Sequence, residues 1–433
     1  MEKAYFIFIF CLFFFQNCEK NDDPEVLATV GNSVITENDF TSVYSKKLIN
    51  TKTKDSDFER IRTLNEIIQT KLFSEAARSQ NLSIDSIGLD RVELERNLAL
   101  REELYNQKIG SKNITIPDST TRIHYQWKNT EILLKHLFHP NKSTLDTLME
   151  SIKEDPSKFS FYADKLFKDD ILKKSGGSLG WISYNTLDPH LEQVAFSMPF
   201  DKATGPIRSS YGWHILLKED EKKQMIISEE DYQNTKGSLN STITKKKAQI
   251  MANDYINSLM ENDVEIDDEL AMNTLRKIHA IVFKKNNQKK NIQPKNTQEI
   301  TEYIIDLKLN SKITLATFKQ GVFTVNDLLN NLRNSNPKTF LDNPVQAFYI
   351  SLRNKILTEE AIHHGLLTNK NVQRKIKSKE DQYMAREFLL SLSTKNEKEN
   401  FSKKEIKTVI ENLKNQFPVT IYKKHLNQLF QLQ

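Results

Sequence analysis

Cysteine is nearly absent from this chain, with two in 433 residues, Cys11 and Cys18. Cys11 lies inside an apolar leader, so no disulfide framework is available to hold the folded body. Charge of one sign is missing too. The 62 basic and 57 acidic residues leave a formal net charge of +5, and no basic run is interleaved with aromatics, which excludes nucleic acid as a partner. Beyond Ala4–Phe15 there is no long apolar run, so no later segment reads as a membrane-spanning helix. Metal-ligand spacing is lacking as well. His136 and His139 fall on a predicted strand, where residues three apart face opposite ways. His363 and His364 adjoin on a predicted helix, point to different faces and are expected to be exposed. Glycine is scarce, 11 in all, and nearly half of it falls between Glu131 and Glu219, which concentrates the tight turns there. With 27% charged and 38% hydrophobic residues the chain is polar without being disordered. Its length allows roughly two or three domains.

Lys3 and the apolar stretch Ala4–Phe15 read as the start of a secretory signal, too short to span a bilayer. The stretch stops at Phe15-Gln16-Asn17-Cys18. A cysteine directly after such a run resembles a bacterial lipoprotein cleavage site, with Gln16-Asn17 in place of the usual small residues. That resemblance implies lipidation of Cys18, a signal peptide over 1–17 and a polar tether over 18–25.

Val26–Val30 and Val34-Ile35 are strand candidates around Gly31-Asn32-Ser33. Thr36 and Asp39 are placed as a helix-starting capping box. Helices are expected from there to about Ile49, over Ile61–Ser79 and Asp90–Tyr105, and from Pro117 to Trp127. This opening resembles the N-terminal segment of SurA/PrsA-like periplasmic folding factors. It also recurs. Leu315–Asp327 aligns without gaps on Leu27–Asp39, with Leu, Ala, Thr, Val, Thr, Asn and Asp in step. Packing of the two copies on each other would make one discontinuous helical body. Ser228–Met260 reads as a long helix, Leu275–Phe283 as a buried strand and Lys284–Lys295 as a solvated loop. Val345–His364, Asn371–Leu392 and Lys403–Asn415 read as further helices.

Residues 131–219 form the stretch that suggests chemistry. Ile132–Phe138 is apolar enough for an internal strand. Asp155-Pro156 and Asp188-Pro189 each read as an N-cap followed by proline at the first helical position. Gly205-Pro206 begins the return, and Trp213–Leu217 closes the module. Gly176-Gly-Ser-Leu-Gly180 fits the spacing of a nucleophile elbow. The polar segment before it and the strand-like Trp181-Ile-Ser-Tyr184 after it argue against a serine hydrolase. The ordered pieces Lys135-His136-Leu137, Phe159 to Ala163, Asp169, Gly176-Gly-Ser-Leu-Gly-Trp181, Leu187 to Phe196 and Ser209 to His214 resemble a parvulin-type peptidyl-prolyl isomerase domain. The resemblance implies that His136 and His214 pair beneath the catalytic floor, with Ser209 bonded to them and Asp169 in the family's Cys/Asp position. It also implies a proline pocket lined by Leu179, Leu187, Leu191, Phe196 and Tyr211. Leu191 stands where the family commonly has phenylalanine.

The expected architecture is α+β. A parvulin-type, FKBP-like module over 129–222 is inserted between two mostly helical chaperone arms with short strand pairs, 26–128 and 223–433. The expected function is peptidyl-prolyl isomerase and chaperone for exported or outer-membrane polypeptides containing X–Pro bonds. Its expected place is the bacterial cell envelope, periplasm-facing and lipid-anchored, and no cofactor or metal is implied. The rival readings are a holdase whose module has little activity and a structural subunit of an envelope complex.

Overall fold

The computed structural model describes residues 26–110, 114–139, 141–209, 212–224, 228–261, 264–288, 312–333, 340–341, 343–396 and 403–422. The leader, Cys18, the tether and Tyr211 lie outside the described residues. The chain divides into two compact units, one made of 1–96 with 373–433 and the other of 97–372. The stretch read from sequence as one C-terminal arm therefore contributes to both, and the two repeat copies belong to different units.

In the first unit, β1 (Val26–Val30) and β2 (Ser33–Thr36) form an antiparallel pair, completed by β10 (Val419–Ile421) from the far end of the chain. Thr36 caps α1 (Glu37–Thr51): its Oγ1 accepts the Asp39 N–H at 3.2 Å, and Asp39 Oδ2 accepts the Thr36 N–H at 2.9 Å. This is the reciprocal box expected from the spacing. α2 (Asp57–Ser79) buries Leu64, Ile68, Leu72 and Ala76 against the strands. The same core takes Met384 and Phe388 from α13 (Lys370–Asn396) and Leu413 from α14 (Lys403–Gln416).

The second unit holds the other copy and the central module. β8 (Thr314–Phe318) and β9 (Gly321–Thr324) pair as β1 and β2 do, and β7 (Glu265–Ile266) completes their sheet. Thr324 and Asp327 rebuild the same box at 2.9 and 3.3 Å at the start of α11 (Val325–Arg333). α12 (Pro344–His363) packs Phe348, Leu352 and Ile356 onto that sheet. The predicted strand over Leu275–Phe283 is instead part of α10 (Asp268–Gln288). A short apolar run does not distinguish strand from helix, and Ala271, Leu275 and Ile278 meet the core at helical spacing. His363 and His364 are exposed, as expected.

The central module is a four-stranded sheet in the order β4 (Ser178–Ser183), β3 (Thr130–His139), β6 (Gly212–Lys223), β5 (Thr204–Ser209), antiparallel throughout. One face packs on α5 (Lys142–Glu154) and α6 (Lys158–Leu166) through Leu137, Leu145, Phe159 and Ile215. The other packs on α8 (Pro189–Ser197) through Ile132, Leu134, Leu191 and Leu216. Even- and odd-numbered strand residues separate onto these two faces, as the pleat requires. Asp188 caps α8 through the His190 N–H at 3.0 Å, with Pro189 at the first helical turn, as predicted. Asp155-Pro156 does not start α6. Asp155 Oδ1 instead binds Ser157 N and Oγ in a turn, and the helix begins at Lys158. α4 (Asp118–Lys128) and the long α9 (Glu229–Glu261) flank the module within the same unit.

Candidate active site

His136 lies on β3 and His214 on β6, the two inner strands of the module's sheet. His136 is opposite Leu216, and His214 is opposite Phe138. The histidines are therefore diagonal neighbours on one face, two residues out of register, which brings long side chains into reach. Their Nδ1 atoms are 3.4 Å apart and the rings stack with 5.6 Å between centroids. Ser209, last in β5, places its Oγ 2.9 Å from His214 Nε2.

Ser209 Oγ lies within hydrogen-bond distance of both His214 Nε2 and, at 3.3 Å, the Gly212 carbonyl. Between the rings one Nδ1 donates and the other accepts. His136 Nε2 is buried with no partner among the described residues. Both rings are neutral at physiological pH. Burial lowers His136 to about 4. Burial first, and then the neighbouring His136, lowers His214 to about 4, while Asp188 opposes the shift. Phe167 stacks on the His136 ring at 5.1 Å, and Phe138 lies beside His214 at 5.1 Å, so the pair is enclosed by aromatic carbon.

Two glycines let the sheet close around these histidines. At Gly177, with φ +83°, an added Cβ would meet the His136 carbonyl oxygen at 2.3 Å, and the Gly177 carbonyl accepts the His136 N–H at 2.9 Å. At Gly205, with φ +145°, it would meet the His214 carbonyl at 2.6 Å.

The pocket candidates gather on the histidine face. Leu179, Leu187, Leu191 and Phe196 belong to one apolar cluster. Leu191 and Phe196 are each 7% exposed and form its buried back, whereas Leu179 and Leu187 are half-buried toward the surface. Tyr211 lies outside the described residues. Asp169 is exposed, and its Oδ1 accepts the Ile171 and Leu172 N–H groups at 2.9 Å as the N-cap of α7 (Asp170–Lys174). The acidic group whose field reaches His214 is Asp188, which the sequence marked only as a helix cap. Among the described residues no group of His, Cys, Asp or Glu is arranged to hold a metal ion, and no helix is long and apolar enough to cross a membrane.

Comparison with known proteins finds similarity in the same stretch of the chain. Residues 139–220 match the family model described as Rotamase: PPIC-type PPIASE domain. His136 sits just before the matched range, on the same strand. Foldase protein PrsA of Oceanobacillus iheyensis is 30% identical over 138 residues, covering 30% of this chain and 46% of that protein. Foldase protein PrsA 1 of Bacillus cereus is 27% identical over 175 residues, 39% of this chain and 57% of that protein. The chain thus spans about half the length of these curated relatives. The solved peptidylprolyl isomerase PrsA from Bacillus anthracis is similar over 48% of this chain and 88% of its own, at 16% identity and a TM-score of 0.26. The chain carries a PPIC-type parvulin domain in its middle.

Proposed function

We propose that the protein is a peptidyl-prolyl cis-trans isomerase and chaperone that acts on unfolded exported polypeptides containing X–Pro bonds. The observation that carries this reading is the neutral, hydrogen-bonded His136–His214–Ser209 relay beneath an apolar cluster. Rotation about an X–Pro bond is slow because twisting the amide destroys its resonance, at a barrier of roughly 18–20 kcal/mol. No nucleophile is required. A catalyst need only hold the twisted amide better than either planar form. Apolar side chains at Leu179, Leu187 and Leu191 take the proline ring and draw the carbonyl out of water, which favours the less polar twisted state. The uncharged imidazoles set the field under that carbonyl without competing for it as ions. Each tenfold acceleration needs about 1.4 kcal/mol of such differential stabilisation.

Catalytic roles for Asp169 and Tyr211 belong to the same proposal, as does attachment to the envelope through a lipid on Cys18. The relatives named foldases support the class of substrate. A second reading, a holdase with a weakly active module, is favoured by one observation: the Asp169 carboxylate is occupied as a helix cap. A protease-coupled proline-peptide assay on the mature chain and its Asp169→Ala variant separates the two. The isomerase reading expects acceleration over background that drops on the order of tenfold in the variant. A wild-type rate equal to background leaves the holdase alone.

A further inference from the structure

Glu192 follows Leu191 in α8 and is 1% exposed, where a carboxylate needs partners for its charge. Two partners reach it from different parts of the unit. Its Oε2 accepts the Asn185 N–H at 2.5 Å, in the turn that leads to Leu187. Its Oε1 takes the Lys246 ammonium from α9, a helix outside the matched 139–220. Lys246 also stands 3.7 Å from the centroid of the Tyr184 ring. The Tyr184 hydroxyl is 2.9 Å from His124 Nδ1 on α4, and His124 packs edge-on against Trp127, which lies against Phe196 of α8. A second contact, His190 Nε2 to Asp254 Oδ1 at 3.4 Å, ties α8 to α9. The helix and turn that carry Leu191 and Leu187 are thus held from outside the module by α4 and α9, and the Lys246 ammonium is the contact that reaches the buried Glu192 carboxylate.

We infer that Lys246 is a positioning residue for the proline pocket: through Glu192 it fixes α8 and the 184–187 turn without touching substrate. This rests on the isomerase reading above. An ion pair that only stabilised the fold would change the melting temperature and leave substrate affinity alone. A positioning pair changes KM, because Leu187 and Leu191 shift when the carboxylate loses its counter-charge and seeks water.

The test uses the mature full-length chain with Lys246→Met, Glu192→Gln and the double variant. Two readouts are taken: kcat and KM on a proline peptide, and methyl resonances of Leu187 and Leu191 without substrate. Glu192→Gln is the milder change, since an amide oxygen still accepts the Asn185 N–H. We expect Lys246→Met to raise KM on the order of tenfold with a smaller change in kcat, and to move both methyls. Adding Glu192→Gln removes the orphaned charge and should bring KM and the methyls back toward wild type, a non-additive cycle. Wild-type KM and unmoved methyls in both single variants overturn the inference, and so does a double variant no better than Lys246→Met. A wild-type chain no faster than background overturns the isomerase reading instead, and the methyl comparison still decides whether Lys246 positions the pocket.

Discussion

Burial keeps both imidazoles of the central sheet uncharged at neutral pH, and the direction of that effect sets a pH signature. His136 and His214 are each lowered to about 4 in the folded chain, mainly by desolvation, against an ordinary value near 6.5. Between those values the unfolded chain binds protons that the folded one refuses. The stabilisation is therefore complete above about pH 6.5 and is lost as pH falls toward 4. Urea midpoints measured from pH 7.5 to 4.5 should fall, and His214→Phe should flatten the slope. The isomerisation rate should stay level from pH 8 to 6, because the relay does not change charge there; a rise or fall centred near 6.5 contradicts the neutral pair. Gly177 makes a second residue-scale case. Gly177→Ala forces a Cβ against the His136 carbonyl at a left-handed φ, so a loss of about 2 kcal/mol or more is expected, with a slower rate, by urea unfolding and the peptide assay. The histidine pair was legible in the sequence through the resemblance of the segments around His136 and His214, each on an apolar strand, to the parvulin pattern. The surroundings of the two acids were not, since Asp169 and Asp188 look alike as letters before a helix and both cap one; Asp169 is exposed, whereas Asp188 opposes the burial shift of His214.

The two capping boxes show which elements a sequence announces. Thr36–Asp39 and Thr324–Asp327 sit at the same point of the repeat and make the same reciprocal bonds, with N–H to Oδ2 at 2.9 Å in both. The chemistry of four residues suffices to build them, so they could be read without any tertiary knowledge. Thr36→Ala and Thr324→Ala should each cost about 1 kcal/mol, with faster amide exchange in the first turn of α1 and of α11 respectively. Exchange that accelerates equally in both helices for either variant contradicts this, because each box serves its own helix. Long helices such as α2 and α9 were legible for a related reason: their apolar spacing persists over many turns. The third strands were not. Val419–Ile421 and Glu265–Ile266 are too short to carry an alternation, and each exists only because a distant strand offers it a ladder. The helix over Asp268–Gln288 was missed for the opposite reason, since its apolar residues cluster tightly enough to imitate a buried strand.

Those third strands determine how the whole chain is threaded. Ala28 and Thr29 pair with Ile421 and Thr420, while Ala316 and Thr317, their counterparts in the repeat, pair with Ile266 and Glu265. The register is the same, and each strand comes from the chain that follows the other copy. β7, which follows the first copy in the chain, completes the sheet of the second, and β10, which follows the second, completes the sheet of the first, an exchange of closing strands. Both cores follow that exchange, one joining Leu27 and Leu72 to Phe388 and Leu413, the other joining Leu275 to Leu315 and Phe348. A single cut between Gln288 and Lys312, made at an engineered protease site, should therefore leave two fragments that co-elute in gel filtration and separate only in denaturant. Fragments that part in buffer would contradict the exchange. Thr420→Pro refines the test. Tyr422 N–H donates to the Leu27 carbonyl and Gly31 N–H to the Pro418 carbonyl, so the even-numbered positions of β10 face β1 and proline at 420 removes a ladder donor. In the cut protein this variant should speed amide exchange in β1 and β2 and leave β8 and β9 protected, since the second sheet draws its closing strand from β7.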